Sequence, residues 1–164
     1  MASDAPLNIL ILCSKFPYPP KDGGTHAMLN MIRGFHQAGH LVTVLTMNTP
    51  KHYLRLNELP EHIKEIASFI AVDVNTDVNF GDLIANYVVS LKSYHVERFT
   101  SKQFERQVID LLEKNTFDII QLETLFMVPY LKAVKEKGKK AVVSLRLHNI
   151  ENEIWKRRAA NEPN

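Results

Sequence analysis

Two short apolar runs, Asn8–Cys13 (NILILC) and Leu41–Thr46 (LVTVLT), lie on either side of a proline-rich stretch and one amphipathic segment. This arrangement constrains the fold more than any other feature of the chain. The first run is rich in Ile and Leu with no polar alternation, which is how a strand buried on both faces reads. The second is short and β-branched, as strands prefer. Between them, Pro17, Pro19 and Pro20 stiffen the stretch Ser14–Asp22 and remove backbone donors, so it reads as an extended loop. Gly23-Gly24 ends that loop. Thr25–Ala38 then spaces Met28, Ile32 and Phe35 as one helical face, and Gly39 follows where a helix C-terminal glycine belongs. Strand, rigid loop, helix, tight turn and strand make a βαβ crossover, which requires parallel strands and a right-handed connection.

The rest of the chain continues the alternation. Pro60–Ala67 reads as a short helix and Phe69–Val74 as a third strand. Gly81–Lys92 and Ser101–Asn115 read as helices, the latter with a stripe of Phe104, Val108, Leu111 and Leu112. Phe117–Leu122 reads as a fourth strand, Leu125–Lys137 as a helix capped by Gly138, Ala141–Leu147 as a fifth strand, and Ile150–Ala160 as the beginning of another helix. The segment 93–100 is ambiguous between a turn and an irregular link. Strands alternating with helices predict an α/β protein, a Rossmann-like three-layer αβα sandwich with a mostly parallel sheet. The length of 164 residues fits a single domain, and the break inside a last, barely started helix suggests a piece of a longer protein.

Composition narrows the functional classes. Twenty basic against 18 acidic residues is no polybasic footprint, which disfavours a nucleic-acid binder. One cysteine, Cys13, forms no internal disulfide and reads as a small buried apolar residue at a strand end. No apolar run approaches a membrane span, and no basic region precedes Ile9–Leu12 as a signal peptide would require. A cytoplasmic domain is the expectation. The five lysines between Lys132 and Lys140 read as a solvated helix end, with a weak contact to the inner membrane face as the minority reading.

In open parallel sheets, ligands bind at the carboxyl ends of the strands. Three such ends carry unusual residues here. After the first strand come Lys21-Asp22-Gly23-Gly24-Thr25, where adjacent glycines and helix amides suit a phosphate; a purely conformational role for the glycines is the alternative. A dinucleotide fingerprint is disfavoured, because ten residues from Ser14 to Gly23 replace the tight turn and the second run ends without an acidic residue for a ribose. No Walker sequence, Gly-x-Ser-x-Gly elbow or zinc-ligand spacing occurs, so no metal or resident cofactor is expected. After the fourth strand come Glu123-Thr124. After the fifth comes Arg146-Leu147-His148-Asn149-Ile150-Glu151, in which Asn149 is a sound helix N-cap and Glu151 a plausible solvated residue. Arg146 and His148 lie two apart and share a strand face, and a charged residue in an apolar strand needs a partner. Trp155 reads as packing beneath this segment.

The stretch Phe16-Pro17-Tyr18-Pro19-Pro20-Lys21-Asp22-Gly23-Gly24 followed by a helix and Ala38-Gly39-His40-Leu41-Val42-Thr43-Val44-Leu45-Thr46 resembles the start of the family-4 retaining glycosyltransferases. Phe117-Asp118-Ile119-Ile120-Gln121-Leu122-Glu123 and Arg146-Leu147-His148-Asn149-Ile150-Glu151 resemble later parts of the same N-terminal domain. The resemblance implies GT-B architecture, two facing Rossmann-like domains. It implies a nucleotide-diphosphate sugar donor and an acceptor that is a sugar, a lipid-linked sugar or a small molecule, with no required metal. Carried over, it puts Gly23, Gly24 and Thr25 near the donor diphosphate and the acceptor, and His148 facing the donor sugar as the catalytic residue. It puts Glu123, Arg146, Asn149 and Glu151 on the acceptor side. The family's main donor-binding elements, a glutamate pair among them, belong to a C-terminal domain. Glutamates eight apart do occur, Glu97–Glu105 and Glu105–Glu113, but without the expected surroundings. This chain alone is therefore expected to be inactive. The rivals are a flavodoxin-like binding module without chemistry, against which the proline loop argues, and half of another sugar enzyme of similar fold, such as an epimerase or a phosphorylase.

Overall fold

A computed structural model describes residues 5–75, 99–138 and 140–147. Five parallel strands form one sheet: β1 (Asn8–Cys13), β2 (Leu41–Asn48), β3 (Ser68–Asp73), β4 (Ile119–Glu123) and β5 (Val142–Arg146). Their spatial order is β3-β2-β1-β4-β5. The α-helices among the described residues are α1 (Gly23–Gln37), α2 (Glu61–Lys64), α3 (Lys102–Lys114) and α4 (Leu131–Lys137). The protein is therefore an α/β sandwich of the Rossmann-like kind.

Alternation along the strands assigns the two faces. Ile9, Ile11 and Cys13 of β1 join Val42 and Val44 of β2 against Met28 and Ile32 of α1. Leu10, Leu12, Leu45, Ile120 and Leu122 point the other way, onto Phe104 and Val108 of α3 and Val134 of α4. The apolar stripe of the 101–115 segment is the buried face of α3, whose N-cap Ser101 accepts from the amide of Phe104. A satellite cluster of Phe16, Leu29, Leu59 and Ile63 anchors the proline loop, and the Phe16 ring stacks on Phe69 with centroids 5.7 Å apart.

Several boundaries differ from expectation for physical reasons. Helix α1 begins at Gly23, not Thr25, because Asp22 caps it: its side chain accepts from the Thr25 amide at 2.8 Å while the Thr25 hydroxyl accepts from the Asp22 amide at 3.0 Å. The glycine pair is thus the first helical turn rather than the end of a loop. At the other end Gly39, at φ +82°, closes a Schellman motif in which His40 N–H reaches the Phe35 carbonyl and Gly39 N–H that of His36. Strand β2 runs on to Asn48, whose amide nitrogen donates to Asp73 of β3 at 2.9 Å. The stretch Leu125–Lys137 is not one α-helix. The Pro129 ring would crowd the carbonyl four residues back in an α-helix, and Leu125–Tyr130 winds as a 3₁₀ helix before α4 begins. Gly138 caps α4 at a negative φ. A Cβ there would lie 2.6 Å from Ile120 Cδ1 and 2.8 Å from the Val134 carbonyl, so close approach, not left-handed backbone, requires glycine. The expected helices at Gly81–Lys92 and Ile150–Ala160 lie outside the described residues.

Candidate site at the carboxyl ends of three strands

The chain leaves β1 towards β2 and β3, then returns to place β4 on the other side of β1. Strand order therefore reverses between β1 and β4. Helix α1 follows β1 on one face, and α4 follows β4 on the other. In doubly wound sheets, this divergence opens a crevice at the carboxyl ends.

Polar groups concentrate there, beyond strand centres that are largely apolar. Cys13 of β1 pairs with Glu123 of β4, and Glu123 pairs with Arg146 of β5, so the three form one row across the sheet. Glu123 is fully buried. Its carboxylate pairs with Arg146, whose Nε lies 3.2 Å away, and accepts from Gln121 Nε2 at 3.3 Å. The partner that a charged residue in the fifth strand needs is thus Glu123, supplied by register. Arg146 Nη1 lies 3.2 Å from Met31 Sδ of α1, and Nη2 is buried with no acceptor among the described residues. Cys13 is buried beside the pair. Burial, and secondarily the Glu123 carboxylate, push its thiol well above the usual range against a smaller opposing pull from Arg146, so it stays protonated and non-nucleophilic.

Thr124 follows Glu123 with φ +78° and ψ 162°, a region that β-branched residues avoid. Three contacts hold it there. Its N–H donates to the Arg146 carbonyl at 2.9 Å, its carbonyl accepts from Met127 N–H at 3.2 Å, and its hydroxyl lies 3.4 Å from that of Ser14, which is itself buried.

The N-terminus of α1 forms the second half of the site. Both the amide and the hydroxyl of Thr25 are engaged in the Asp22 cap, and the hydroxyl also accepts from Lys21 N–H at 3.0 Å. Thr25 is a capping residue. Lys15 pairs with the Asp22 carboxylate. Burial pushes that carboxyl up, but the Lys15 hydrogen bond and the Thr25 amide pull it further down, well below the usual carboxylate range. Gly23 has a different environment: a Cβ built there would meet nothing within 4 Å, and its φ is not positive. Neither packing nor backbone conformation demands glycine at that position. His52, just after β2, is held below its ordinary value by burial and then by Lys15 and Lys51, with Lys21 adding and Asp22 opposing. This end of the sheet therefore gathers positive charge around the α1 terminus.

Of the residues expected at the site, the sheet brings Glu123 and Arg146 into contact, and α1 carries Gly23, Gly24 and Thr25 in its first turn. His148, Asn149 and Glu151 lie outside the described residues, as does Trp155. Ser14 and Gln121 join the site beyond that expectation, and Thr124, expected only as a residue after the fourth strand, enters it with a strained backbone. A period-2 reading of Gln121 and Glu123 would have put both on one face; nothing in a threonine forecasts a positive φ. Among the described residues, no group of three or more His, Cys, Asp or Glu side chains is placed to hold a metal ion. No described helix is long and apolar enough to cross a membrane.

No protein-family model matches the chain, and no curated protein does. Solved structures do. One of the C-terminal domain of the PF1911 hydrogenase from Pyrococcus furiosus superposes with a TM-score of 0.54 at 17% identity, covering 85% of this chain and 90% of that one. A second structure of that domain gives 0.52 at 19% identity, covering 86% and 90%. At such identities the likeness is one of fold.

Proposed function

We propose that the chain is the acceptor-side, N-terminal domain of a retaining glycosyltransferase of GT-B architecture, working with a second domain that carries most of the donor site. The observation that carries this reading is the buried Glu123–Arg146 pair, set in register at the strand-order reversal beside the strained Thr124. Buried polar groups and strained backbone both cost stability, and they concentrate where a ligand is handled. The sequence resemblance supports the transferase reading at both halves of this site. The open space above Gly23 suits close approach of a donor diphosphate to the first turn of α1, with Lys21 and Lys51 nearby to answer its charge. The acceptor lies on the Glu123–Arg146 side. In this reading His148 faces the donor sugar. The protonated Cys13 thiol takes no part in covalent chemistry.

The reaction class moves a glycosyl group from a nucleoside diphosphate to an acceptor hydroxyl. The test is to express the entire gene product and incubate it with a panel of nucleotide-diphosphate sugars and hydroxyl acceptors. Released nucleoside diphosphate and the mass of the product are then measured. Acceptor-dependent release that falls at least tenfold in Glu123→Gln supports the reading. Release with no glycosylated product, or none from any donor, counts against it.

A further inference from the structure

We infer that Ser14, Thr124 and Arg146 form a subsite for an uncharged, hydroxyl-bearing ligand, a sugar rather than a sugar phosphate or sugar acid. This names the acceptor class of the proposed transferase and takes from that reading only the word acceptor. Arg146 directs its three nitrogens differently: Nε to Glu123, Nη1 to Met31 Sδ, and Nη2, buried, to no acceptor among the described residues. A buried guanidinium N–H without a partner is costly, and a ligand oxygen is the group that would complete it. The Ser14 and Thr124 hydroxyls stand together at 3.4 Å, and each can both donate and accept. Thr124 keeps its hydroxyl at a backbone conformation where glycine would be unstrained, which points to a use for the side chain.

Charge selects the ligand. The guanidinium charge is already answered by the fully buried Glu123 carboxylate. An incoming oxygen therefore meets donors whose charge Glu123 already offsets, so an anionic group gains less there than at an unpaired cation and still gives up its hydration, whereas a neutral hydroxyl gives up little. Lys21 and Lys51, which form no ion pair among the described residues, lie by His52 at the α1 end instead. Neutral and anionic parts of a substrate pair are thus separated along the carboxyl edge of the sheet.

The test is an NMR titration of the ¹⁵N-labelled chain with methyl α-glucoside, methyl α-mannoside and methyl α-galactoside, and with glucuronate and glucose 6-phosphate as charged counterparts. At least one neutral glycoside should shift the Arg146 Nε–H signal and the Ser14 and Thr124 amides, with an affinity at least tenfold above those of the charged sugars. Arg146→Lys keeps a cation opposite Glu123 but lacks Nη2, and should lose at least fivefold in affinity with its amide spectrum otherwise retained. Should that variant not fold, Thr124→Gly removes the hydroxyl without touching the ion pair, and the same loss is expected. Charged sugars that bind as well as neutral ones, variants that bind like the wild type, or no binding across the panel would each overturn the inference. Arg146-dependent sugar binding without transfer from any nucleotide-sugar would sustain this subsite and remove the transferase reading. Transfer unaffected by Arg146→Lys would do the reverse.

Discussion

Replacing Arg146 by Met should destabilise the domain far more than replacing Glu123 by Gln, although both break the same ion pair. The asymmetry follows from burial. Glu123 has no exposed side-chain surface, whereas the Arg146 side chain is 31% exposed. Arg146→Met keeps an apolar stem but leaves a buried carboxylate with its counter-charge gone, a change that costs about 3–5 kcal/mol. Glu123→Gln removes the charge that cannot reach water and leaves one that can, at a cost of about 1–3 kcal/mol, the range for a lost hydrogen bond to a charged group. In a domain of this size, each kcal/mol lowers Tm by roughly 2–4 °C, so the Arg146 variant should melt roughly 6–20 °C lower. The double variant Glu123→Gln/Arg146→Met contains neither charge and should be more stable than Arg146→Met alone, with a coupling of about 0.5–3 kcal/mol. Urea titrations followed by circular dichroism measure all four proteins, with unchanged m-values as the check on two-state behaviour. Equal costs for the two single variants, or a double variant whose cost is their sum, would refute this reasoning.

Gly138→Ala places a methyl group 2.6 Å from Ile120 Cδ1 and 2.8 Å from a backbone carbonyl that cannot swing away, so it should cost about 1–3 kcal/mol in the same titration. Gly23→Ala meets open space and should raise stability by about 0.5–1 kcal/mol while lowering donor-dependent activity of the entire gene product; a loss of stability would return this glycine to a structural role. Asp22 has a folded-state pKa depressed below its unfolded value. Its contribution is therefore present above the ordinary carboxylate range of about 4 and is lost as pH falls through the folded value. Between pH 5 and 2.5 the wild type should lose stability more steeply than Asp22→Asn, and parallel curves would contradict the assignment.

The fold was legible because the information it needed is local and periodic. Asn8–Cys13 and Leu41–Thr46 name buried strands by composition alone, and the βαβ order then leaves little freedom of handedness. The misplaced boundaries depend on single side-chain contacts. Asp22 decides where α1 begins through a reciprocal cap with Thr25, and Pro129 decides that Leu125–Tyr130 is 3₁₀. The fourth strand starts at Ile119 rather than Phe117, because backbone bonds to the neighbouring strands begin only at Asp118, which reaches Asn8 and Val142. At the site, Glu123 and Arg146 were readable as residues at strand ends, and the need of Arg146 for a partner was readable as well. Which partner it takes required the register between β4 and β5. Thr124 was not readable as strained, since its φ is imposed by Arg146 and Met127 through backbone bonds distant or irregular in sequence.

Glycosyl transfer is tested most directly by the configuration of the product. Incubating the entire gene product with a donor that it consumes, and reading the anomeric C–H coupling of the new glycosidic linkage by NMR, separates the outcomes. A retaining transferase gives a glycoside with the donor's own anomeric configuration and one equivalent of nucleoside diphosphate. An inverted glycoside, or consumption of the donor with no new glycosidic bond, would contradict it.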